Sequence, residues 1–342
     1  MSDGNASTVL YYTDMALGVY IYDISPNVFD QLSTFINCFL IHIMCLFGIL
    51  GNVITIVILV YNGFTVATNI ALIALAVSDL FYSVTQSLGR VQSIVYKFNP
   101  DLAYCFYSYY MVYIFAWNQC TITTSAYIVT AIAIERMIAV WFPFKVVHLI
   151  TPIKMGCIVI LLGVLTVVIY SPYAIYVQLD QRTLFVNKTV TWYKQNQPYI
   201  NNVNFFEVYR TFVTIFSNVI IPLIIILVCC FVIILRLTLS NKTIKKMTLS
   251  EKRVRDLKSV KITLLVCLSL VVLVLIPLNA LDIYLSYSQT NLISPRIQSV
   301  LMYLLQCVSQ CSASTNFIIY VLFNPKFFST YKKLFLLRCY MQ

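Results

Sequence analysis

Seven apolar stretches, separated by short polar segments, account for most of this chain. Each stretch holds roughly the 20 residues that a helix needs to cross about 30 Å of hydrocarbon. Numbered one to seven in chain order, the predicted spans cover residues 34–60, 69–93, 107–140, 152–177, 208–236, 258–286 and 297–322. The pattern therefore predicts an all-α membrane protein whose core is a seven-transmembrane helix bundle.

The residues outside the spans divide the chain into a tail over 1–33, the seven-helix domain over 34–322, and a C-terminal segment over 323–342. In the C-terminal segment, apolar residues recur at helical spacing beside several lysines: Phe327, Phe328, Tyr331, Leu334 and Phe335. This pattern is typical of a short amphipathic helix that lies on the membrane surface and contacts lipid. Cys339 is either acylated there or unmodified.

Composition supports the membrane prediction. Hydrophobic residues make up 60% of the chain and charged residues only 10%, whereas soluble domains carry about 25% charge. The net charge of +11 would fit a nucleic-acid partner, but the basic residues gather beside the spans, where they mark topology, so we expect no nucleic-acid binding. Most of the 11 cysteines lie in apolar runs without metal-binding spacing, where cysteine is a small hydrophobe.

Basic residues also predict the orientation of the chain. Most of the 23 lysines and arginines lie on one face, which includes the segment 236–261 and the C-terminal segment. Because cytoplasmic loops carry the excess of Lys and Arg, we expect a multi-pass plasma-membrane protein with its N-terminus outside and its C-terminus in the cytoplasm. We call the predicted cytoplasmic face inner and the opposite face outer. Glycosylation sequons at Asn5 and Asn187 fall outside, and a third at Asn241 falls inside.

Two of the charged positions within the apolar spans stand out. Glu135 and Arg136 lie side by side at the inner end of span three, and Asp79 lies deep in span two. A charge near the bilayer centre costs about 3 kcal/mol, so each is a candidate functional residue. The alternative for Arg136 is an arginine that merely extends from a helix end into water. Uncharged polar residues within spans, such as Asn52, are usually hydrogen-bonding links between helices.

The order of the polar motifs resembles that of rhodopsin-like (class A) G-protein-coupled receptors. The matching pieces are Gly51-Asn52, "LAVSDL" around Asp79, "ERM" at 135–137 in place of Asp/Glu-Arg-Tyr, Pro143-Phe144, Pro222, Pro277, and "NFIIY" at 316–320 in place of Asn-Pro-x-x-Tyr. Each piece is weak alone, but together they keep the order and spacing of that family. In detail, stretches such as "NIALIALAVSDL" are most similar to candidate chemosensory and peptide receptors of molluscs.

The resemblance implies a receptor that binds an extracellular peptide or small polar chemical and activates a heterotrimeric G protein. In such receptors the arginine corresponding to Arg136 is held by its acidic neighbour, here Glu135. Outward movement of span six then frees the arginine for the G protein. The resemblance places Phe144 and Tyr320 in the same coupling region.

The resemblance also implies an allosteric sodium ion, and no other cofactor is expected. The ligands would be Asp79, Ser125, Ser312 and Asn316. Oxygen ligands around a carboxylate suit a hard cation.

Candidate ligand-binding residues lie towards the outer ends of the spans. Asn118 precedes Arg136 by about five turns, or about 27 Å, so it lies on the same face of span three at the outer end. The other candidates at this height are Arg90, Gln119, Thr214, Asn218, Asn279, Asp282, Gln306 and Gln310. Arg90 and Asp282 would bind the two ends of a zwitterion or a peptide; alternatively, they are rim residues in water.

The chain departs from the family at several positions, and these departures limit which ligands and which disulfide we expect. Asn118 stands where monoamine receptors have an aspartate, and Gln310 where opsins have a lysine, so neither a simple amine nor retinal is expected. Residues 178–207 contain no cysteine, so the usual disulfide to this outer loop is missing. The loop must then be held by packing alone, or Cys105 is reactive.

A transporter or channel is the alternative to a receptor. A transporter is expected to show inverted repeats, broken helices or several charges along a path, whereas the deep charge here is essentially Asp79. An enzyme would need a cluster of nucleophile, base or metal ligands, and the sequence shows none. We therefore expect a receptor without enzymatic activity.

Overall fold

The computed structural model describes residues 22–142, 144–184, 188–244 and 293–336, together with Pro277 and Tyr284. Most of predicted span six lies outside these residues. The same holds for six residues that the sequence singles out: Asn5, Pro143, Asn187, Asn279, Asp282 and Cys339.

Long helices dominate the described part of the chain and follow the predicted spans. Five of them are long and apolar enough to cross a membrane, and they correspond to spans one to five: Pro26–Tyr61, Ala67–Tyr96, Pro100–Trp141, Pro152–Tyr173 and Phe216–Arg236. The helix of span seven, Pro295–Phe323, is also long enough. Its serine, glutamine and asparagine side chains make it more polar than those five.

Wider, π-helical turns interrupt three of these helices. They cover Phe35–Leu40 in span one, Tyr110–Ile114 in span three and Phe212–Ile220 in span five. The helix of span five begins before them, at Val203–Thr211, and continues after them as Ile221–Ile244. Because a π-helical turn holds more residues than an α-helical turn, it changes which side chains beyond it face the bundle.

Capping side chains set the starts of five helices. In each case the capping residue is followed directly by a proline, and the five capping residues are Ser25, Asn99, Thr151, Ser294 and Asn324. The side-chain oxygen accepts a hydrogen bond from a backbone N–H that has no partner within the helix, and proline has no N–H to satisfy. The predicted starts of spans one and three at 34 and 107 are therefore too late, because Pro26 and Pro100 begin these helices.

Buried apolar side chains join spans two to five into one core. Leu75, Ile128, Met155 and Ile226 belong to it, and each is at most 2% exposed. Side chains that are buried in such a core have little freedom to move, because protein interiors are closely packed. The polar residues on the same helices are therefore held in defined positions.

A β-hairpin replaces part of the predicted polar loop between spans four and five. Strands β1 (Val177–Leu184) and β2 (Lys188–Gln195) pair antiparallel. The predicted end of span four at 177 is wrong, because the α-helix ends at Tyr170 and is followed by the tighter turns of Ser171–Ile175. Proline at the second position of those turns removes a backbone donor, although the sequence remains apolar. A short helix, Gln197–Asn201, follows the hairpin.

Aromatic packing holds the hairpin against the outer end of span three. The rings of Tyr104 and Trp192 have centroids 5.5 Å apart, and Tyr107 contacts the ring of Tyr193 edge to face at 5.6 Å. Cys105, between the two tyrosines, has no disulfide partner among the described residues. These contacts agree with the expectation that packing holds this loop.

A C-terminal helix follows span seven over Pro325–Tyr331 and continues as π-helical turns to Leu336. Phe327 is 1% exposed and packs against Tyr320, with ring centroids 5.7 Å apart. Lys333 donates a hydrogen bond of 2.9 Å to the hydroxyl of Tyr61 at the end of span one, and this bond raises the pKa of Lys333. The helix is thereby fastened to the inner ends of spans one and seven.

The residues just before span one are fastened to the start of span seven. The carboxylate of Asp23 pairs with the guanidinium of Arg296 at 2.9 Å, and the backbone N–H of Ser294 donates to the carbonyl of Tyr22 at 3.0 Å. A hydrogen bond with the Ser294 side chain, assisted by the backbone N–H of Ile24 and by Arg296, lowers the pKa of Asp23. On the outer face, this link connects the segment before span one to the first residues of span seven.

Candidate functional site

Glu135 and Arg136 form a three-residue cluster with Thr68, at the inner ends of spans two and three. Arg136 Nε lies 3.1 Å from Glu135 Oε2. The Thr68 hydroxyl donates to Glu135 Oε1 at 3.1 Å, and Arg136 Nη2 donates to the same hydroxyl oxygen at 2.5 Å. The side chains of Arg136 and Glu135 are 19% and 9% exposed. The predicted pair is thus present, and Thr68 is a partner that the sequence did not indicate.

The contact between Arg136 and Glu135 is an ion pair without a directed hydrogen bond. Although Arg136 Nε and Glu135 Oε2 are close, neither of these buried atoms has a hydrogen-bond partner among the described residues. The contact therefore relies on Coulomb attraction, and Nε keeps a donor that a better placed acceptor can satisfy. This geometry suits a group that exchanges one partner for another.

The other two predicted coupling residues lie apart from this cluster. Phe144, in the loop after span three, is 91% exposed. Tyr320 is 7% exposed and packs with Ile58, Leu59 and Phe327 at the inner end of span seven. Phe144 is therefore available to a partner on the inner face, whereas Tyr320 is part of the packing that holds the C-terminal helix.

A second contact at the inner face joins spans three and five. The indole N–H of Trp141 donates to the carbonyl of Val232 at 3.2 Å, and the guanidinium of Arg236 lies over the Trp141 ring, 5.3 Å from its centroid. Such cation–π contacts stabilise by about 0.5–1 kcal/mol at exposed sites. Trp141 and Arg236 lie 95 positions apart in the sequence, so this pairing appears only in the fold.

The four residues predicted to bind sodium meet in the middle of the bundle. Ser125 Oγ donates to Asp79 Oδ1 at 2.7 Å, and Asn316 Nδ2 donates to Asp79 Oδ2 at 2.8 Å. A cavity of about 30 Å³ beside the carboxylate is also lined by Ser312. Since one water takes about 30 Å³ in the liquid, a single water or small cation fits. The carboxylate oxygens keep lone pairs for a cation, so the residues present suit sodium.

Arg90 has its partners on span seven. Its guanidinium donates a hydrogen bond to Gln306 Oε1 and lies over the ring of Tyr303, 5.1 Å from the centroid. Both partners are neutral, and Arg90 forms no ion pair within the part of the chain that the structure describes, so its positive charge there is balanced by no carboxylate. An anionic group of a ligand could replace the amide as acceptor, because hydrogen bonds between two charged groups are stronger.

Asn118 and Gln310 join helices in this structure. Asn118 is 4% exposed and donates to Thr85 Oγ1 at 2.9 Å and to Gln86 Oε1 at 3.4 Å. Gln310 is fully buried and donates to Ser83 Oγ at 2.7 Å. Gln310 Oε1 and Gln86 Nε2 are buried without a hydrogen-bond partner among the described residues. Such atoms call for a water molecule or a polar ligand group nearby.

The remaining candidate ligand residues within the described chain lie on spans three and five. Asn218 donates to the hydroxyl of Tyr170, and its own Oδ1 is buried without a partner among the described residues. Gln119 is half-buried. Thr214 lies within the π-helical turns of span five.

A family comparison identifies the architecture that carries these residues. The profile of the family described as "7 transmembrane receptor (rhodopsin family)" matches residues 51–320. This range contains the Glu135–Arg136 pair, the Asp79 cluster and every candidate ligand-binding residue.

Two relatives match parts of the chain. A probable G-protein coupled receptor of Caenorhabditis elegans is 22% identical over 193 residues, which is 54% of this chain and 43% of the relative. Cysteinyl leukotriene receptor 1 of Sus scrofa is 28% identical over 221 residues, which is 60% of each chain. The chain thus spans about half the length of these relatives. Neither relative is a molluscan receptor, so the narrower resemblance stays a prediction.

Proposed function

We propose that this chain, which belongs to the rhodopsin family of seven-transmembrane receptors, binds a peptide or a small polar chemical at its outer face and activates a heterotrimeric G protein at its inner face. In this proposal the protein lies in the plasma membrane with its N-terminus outside. The distribution of basic residues supports that orientation. Family membership favours this function over a transporter or channel.

The observation that carries the proposal is the cluster of Arg136, Glu135 and Thr68. Arg136 is held at the inner face by one ion pair and one hydrogen bond, and its Nε lacks a hydrogen-bond acceptor among the described residues. An outward movement of span six would let a G-protein segment reach this arginine and supply acceptors. A ligand can favour that state only by as much as it binds the active form more tightly than the resting form.

The outer polar residues are the proposed ligand contacts. Arg90 would exchange its neutral partner Gln306 for an anionic group of the ligand. Asn218 Oδ1, which has no hydrogen-bond partner among the described residues, would accept a hydrogen bond from the ligand. Asp282, which lies outside the described residues, would pair with a basic group. A ligand that carries both charges therefore fits best.

Sodium at Asp79 is proposed as a negative modulator of the agonist. The carboxylate with Ser125, Ser312 and Asn316 would hold the ion in the small cavity between spans two, three and seven. An ion that binds the resting arrangement more tightly than the active one lowers agonist affinity, by linkage.

The test is a G-protein activation screen in cells that express the full chain. The panel contains peptides, amino acids and odorants, together with cysteinyl leukotrienes because one relative carries that name. Arg136→Ala should abolish the response to any hit, whereas Lys326→Ala, an exposed basic residue on the same face, should keep it. A response that persists in Arg136→Ala at equal surface expression would contradict the proposal.

A further inference from the structure

A cavity of about 220 Å³ lies where the outer ends of spans one and two meet the start of span three. Lys97, on its wall, lies about two turns, or roughly 10 Å, further out along span two than Arg90. At about 30 Å³ for each water molecule, several waters or one small solute fit. None of the candidate ligand residues named above lines this cavity.

Two opposite charges line the cavity. Asp30 comes from the first turns of span one, and Lys97 follows the last residue of the helix of span two. They form no ion pair with each other or with another residue of the described chain. Each charge is therefore available to a ligand that enters the cavity.

Uncharged hydrogen-bonding groups complete the wall. Gln92 and Ser93 line it from span two, and Thr34 lines it from span one. These side chains offer both donors and acceptors to a polar linker between two charged groups. Cys38, one turn below Thr34 on span one, also lines the cavity and is partly exposed.

We propose that this cavity is a second binding site, and that it takes a zwitterion whose anionic group pairs with Lys97 and whose ammonium pairs with Asp30. Hydrogen bonds between charged groups at both ends make the site selective for compounds that carry both charges. Because both side chains are exposed, each ion pair alone contributes little. A compound with a single charge therefore binds poorly.

Two sources offer this chemistry at the outer face. One is a soluble zwitterion, such as a free amino acid or phosphoethanolamine. The other is the headgroup of a phospholipid in the outer leaflet, such as phosphatidylethanolamine, which joins a phosphate and an ammonium by the same short linker. The site goes beyond the proposed receptor function, because it needs neither the activating ligand nor a G protein.

Cys38 supplies a reporter of occupancy. The full-length protein in nanodiscs is treated with methyl methanethiosulfonate, and the modification rate of Cys38 is followed by mass spectrometry of its peptide. The reagent is neutral, so charge changes in variants do not alter its local concentration. Phosphoethanolamine is the probe, and inorganic phosphate and ethanolamine are the singly charged controls.

In nanodiscs of phosphatidylglycerol, which has no ammonium, phosphoethanolamine should slow modification of Cys38 about tenfold when its concentration is about ten times its Kd. Asp30→Asn and Lys97→Gln should each abolish this protection, whereas Arg90→Ala should keep it. Absence of protection in these discs and in those of phosphatidylethanolamine would overturn the proposal. Equal protection by phosphate or ethanolamine, or protection that survives both charge changes together, would overturn it as well.

Nanodiscs of phosphatidylethanolamine separate the two sources. If the lipid headgroup fills the cavity, Cys38 is protected before any probe is added, and Asp30→Asn or Lys97→Gln removes that protection. If a soluble zwitterion is the ligand, Cys38 reacts as fast as in phosphatidylglycerol until phosphoethanolamine is added. Either result supports the site. Because the assay contains no G protein, its failure is distinct from a failure of the proposed coupling.

Discussion

Replacing Glu135 by glutamine keeps the size of the side chain and removes its charge. Arg136 then loses the ion pair that joins the two side chains at 3.1 Å, while the hydroxyl of Thr68 can still donate to the new amide oxygen. We propose that the G protein binds the state in which Arg136 no longer pairs with Glu135. Signalling without any ligand should therefore rise.

The size of the effect follows from the separation and exposure of the pair. At 3.1 Å, two unit charges attract by about 5 kcal/mol at an effective dielectric constant of about 20. The side chains are only 19% and 9% exposed, and the cost of removing both from water offsets much of this attraction. A net bias of about 1–2 kcal/mol towards the resting state corresponds to a factor of about 5–30. Basal signalling should rise by a factor of that order.

The assay is basal G-protein activation in cells that carry wild type and Glu135→Gln at equal surface density. Thr68→Val removes the hydroxyl that contacts both partners, and it should raise basal signalling by a smaller factor. Glu135→Gln combined with Arg136→Ala should be silent if, as we propose, the arginine contacts the G protein. The reasoning is refuted if Glu135→Gln is no more active than wild type, or if the double variant is as active as the single one.

Sodium should weaken agonist binding to the wild type and leave Asp79→Asn unaffected, measured as agonist affinity in sodium or potassium chloride of equal ionic strength; a flat wild-type curve would exclude the sodium site. Gly48→Ala should lower the melting temperature by several degrees, a cost of about 1–3 kcal/mol, because its added Cβ would lie 2.6 Å from a serine oxygen of span two. Gly156→Ala, which has nothing within 4 Å of that Cβ, is the matched control, and equal melting temperatures would contradict the packing. Since a hydrogen bond with a serine side chain lowers the pKa of Asp23, its link to Arg296 contributes above the ordinary pKa of 3.8 and is lost as pH falls through the lowered value. Hydrogen exchange just before span one, relative to intrinsic rates, should accelerate over that range in wild type but not in Asp23→Asn.

The spans could be predicted from the sequence because the bilayer sets a minimum length for every apolar stretch. The helix starts were predicted less well. Pro26 and Pro100 begin helices well before the apolar runs, because the capping residues Ser25 and Asn99 are polar. That signal is present in the sequence, but a hydropathy pattern does not contain it.

The outer hairpin was not predicted. Its strands carry few of the apolar residues that mark a buried strand, and their stability depends on ring contacts with span three, such as that between Tyr104 and Trp192. A short two-stranded hairpin is marginal by itself in water. Contacts with the neighbouring helix stabilise this hairpin, and the sequence of the two strands does not show which helix they will contact.

Hydropathy and motif order along the chain were enough to predict the spans and to single out the residues, above all Arg136 and Asp79, whose charge is costly enough in a membrane to require a role. The family resemblance supplied Glu135 as the partner of Arg136, but other contacts became visible only in the fold, because the atoms that meet are far apart along the chain. Thr68 and Glu135 are separated by 67 positions, and Trp141 and Val232 by 91. Hydrocarbon thickness acts on each helix separately, whereas helix packing decides which polar atoms are paired across the bundle. Packing also decides which atoms, such as Arg136 Nε, still lack an acceptor among the described residues.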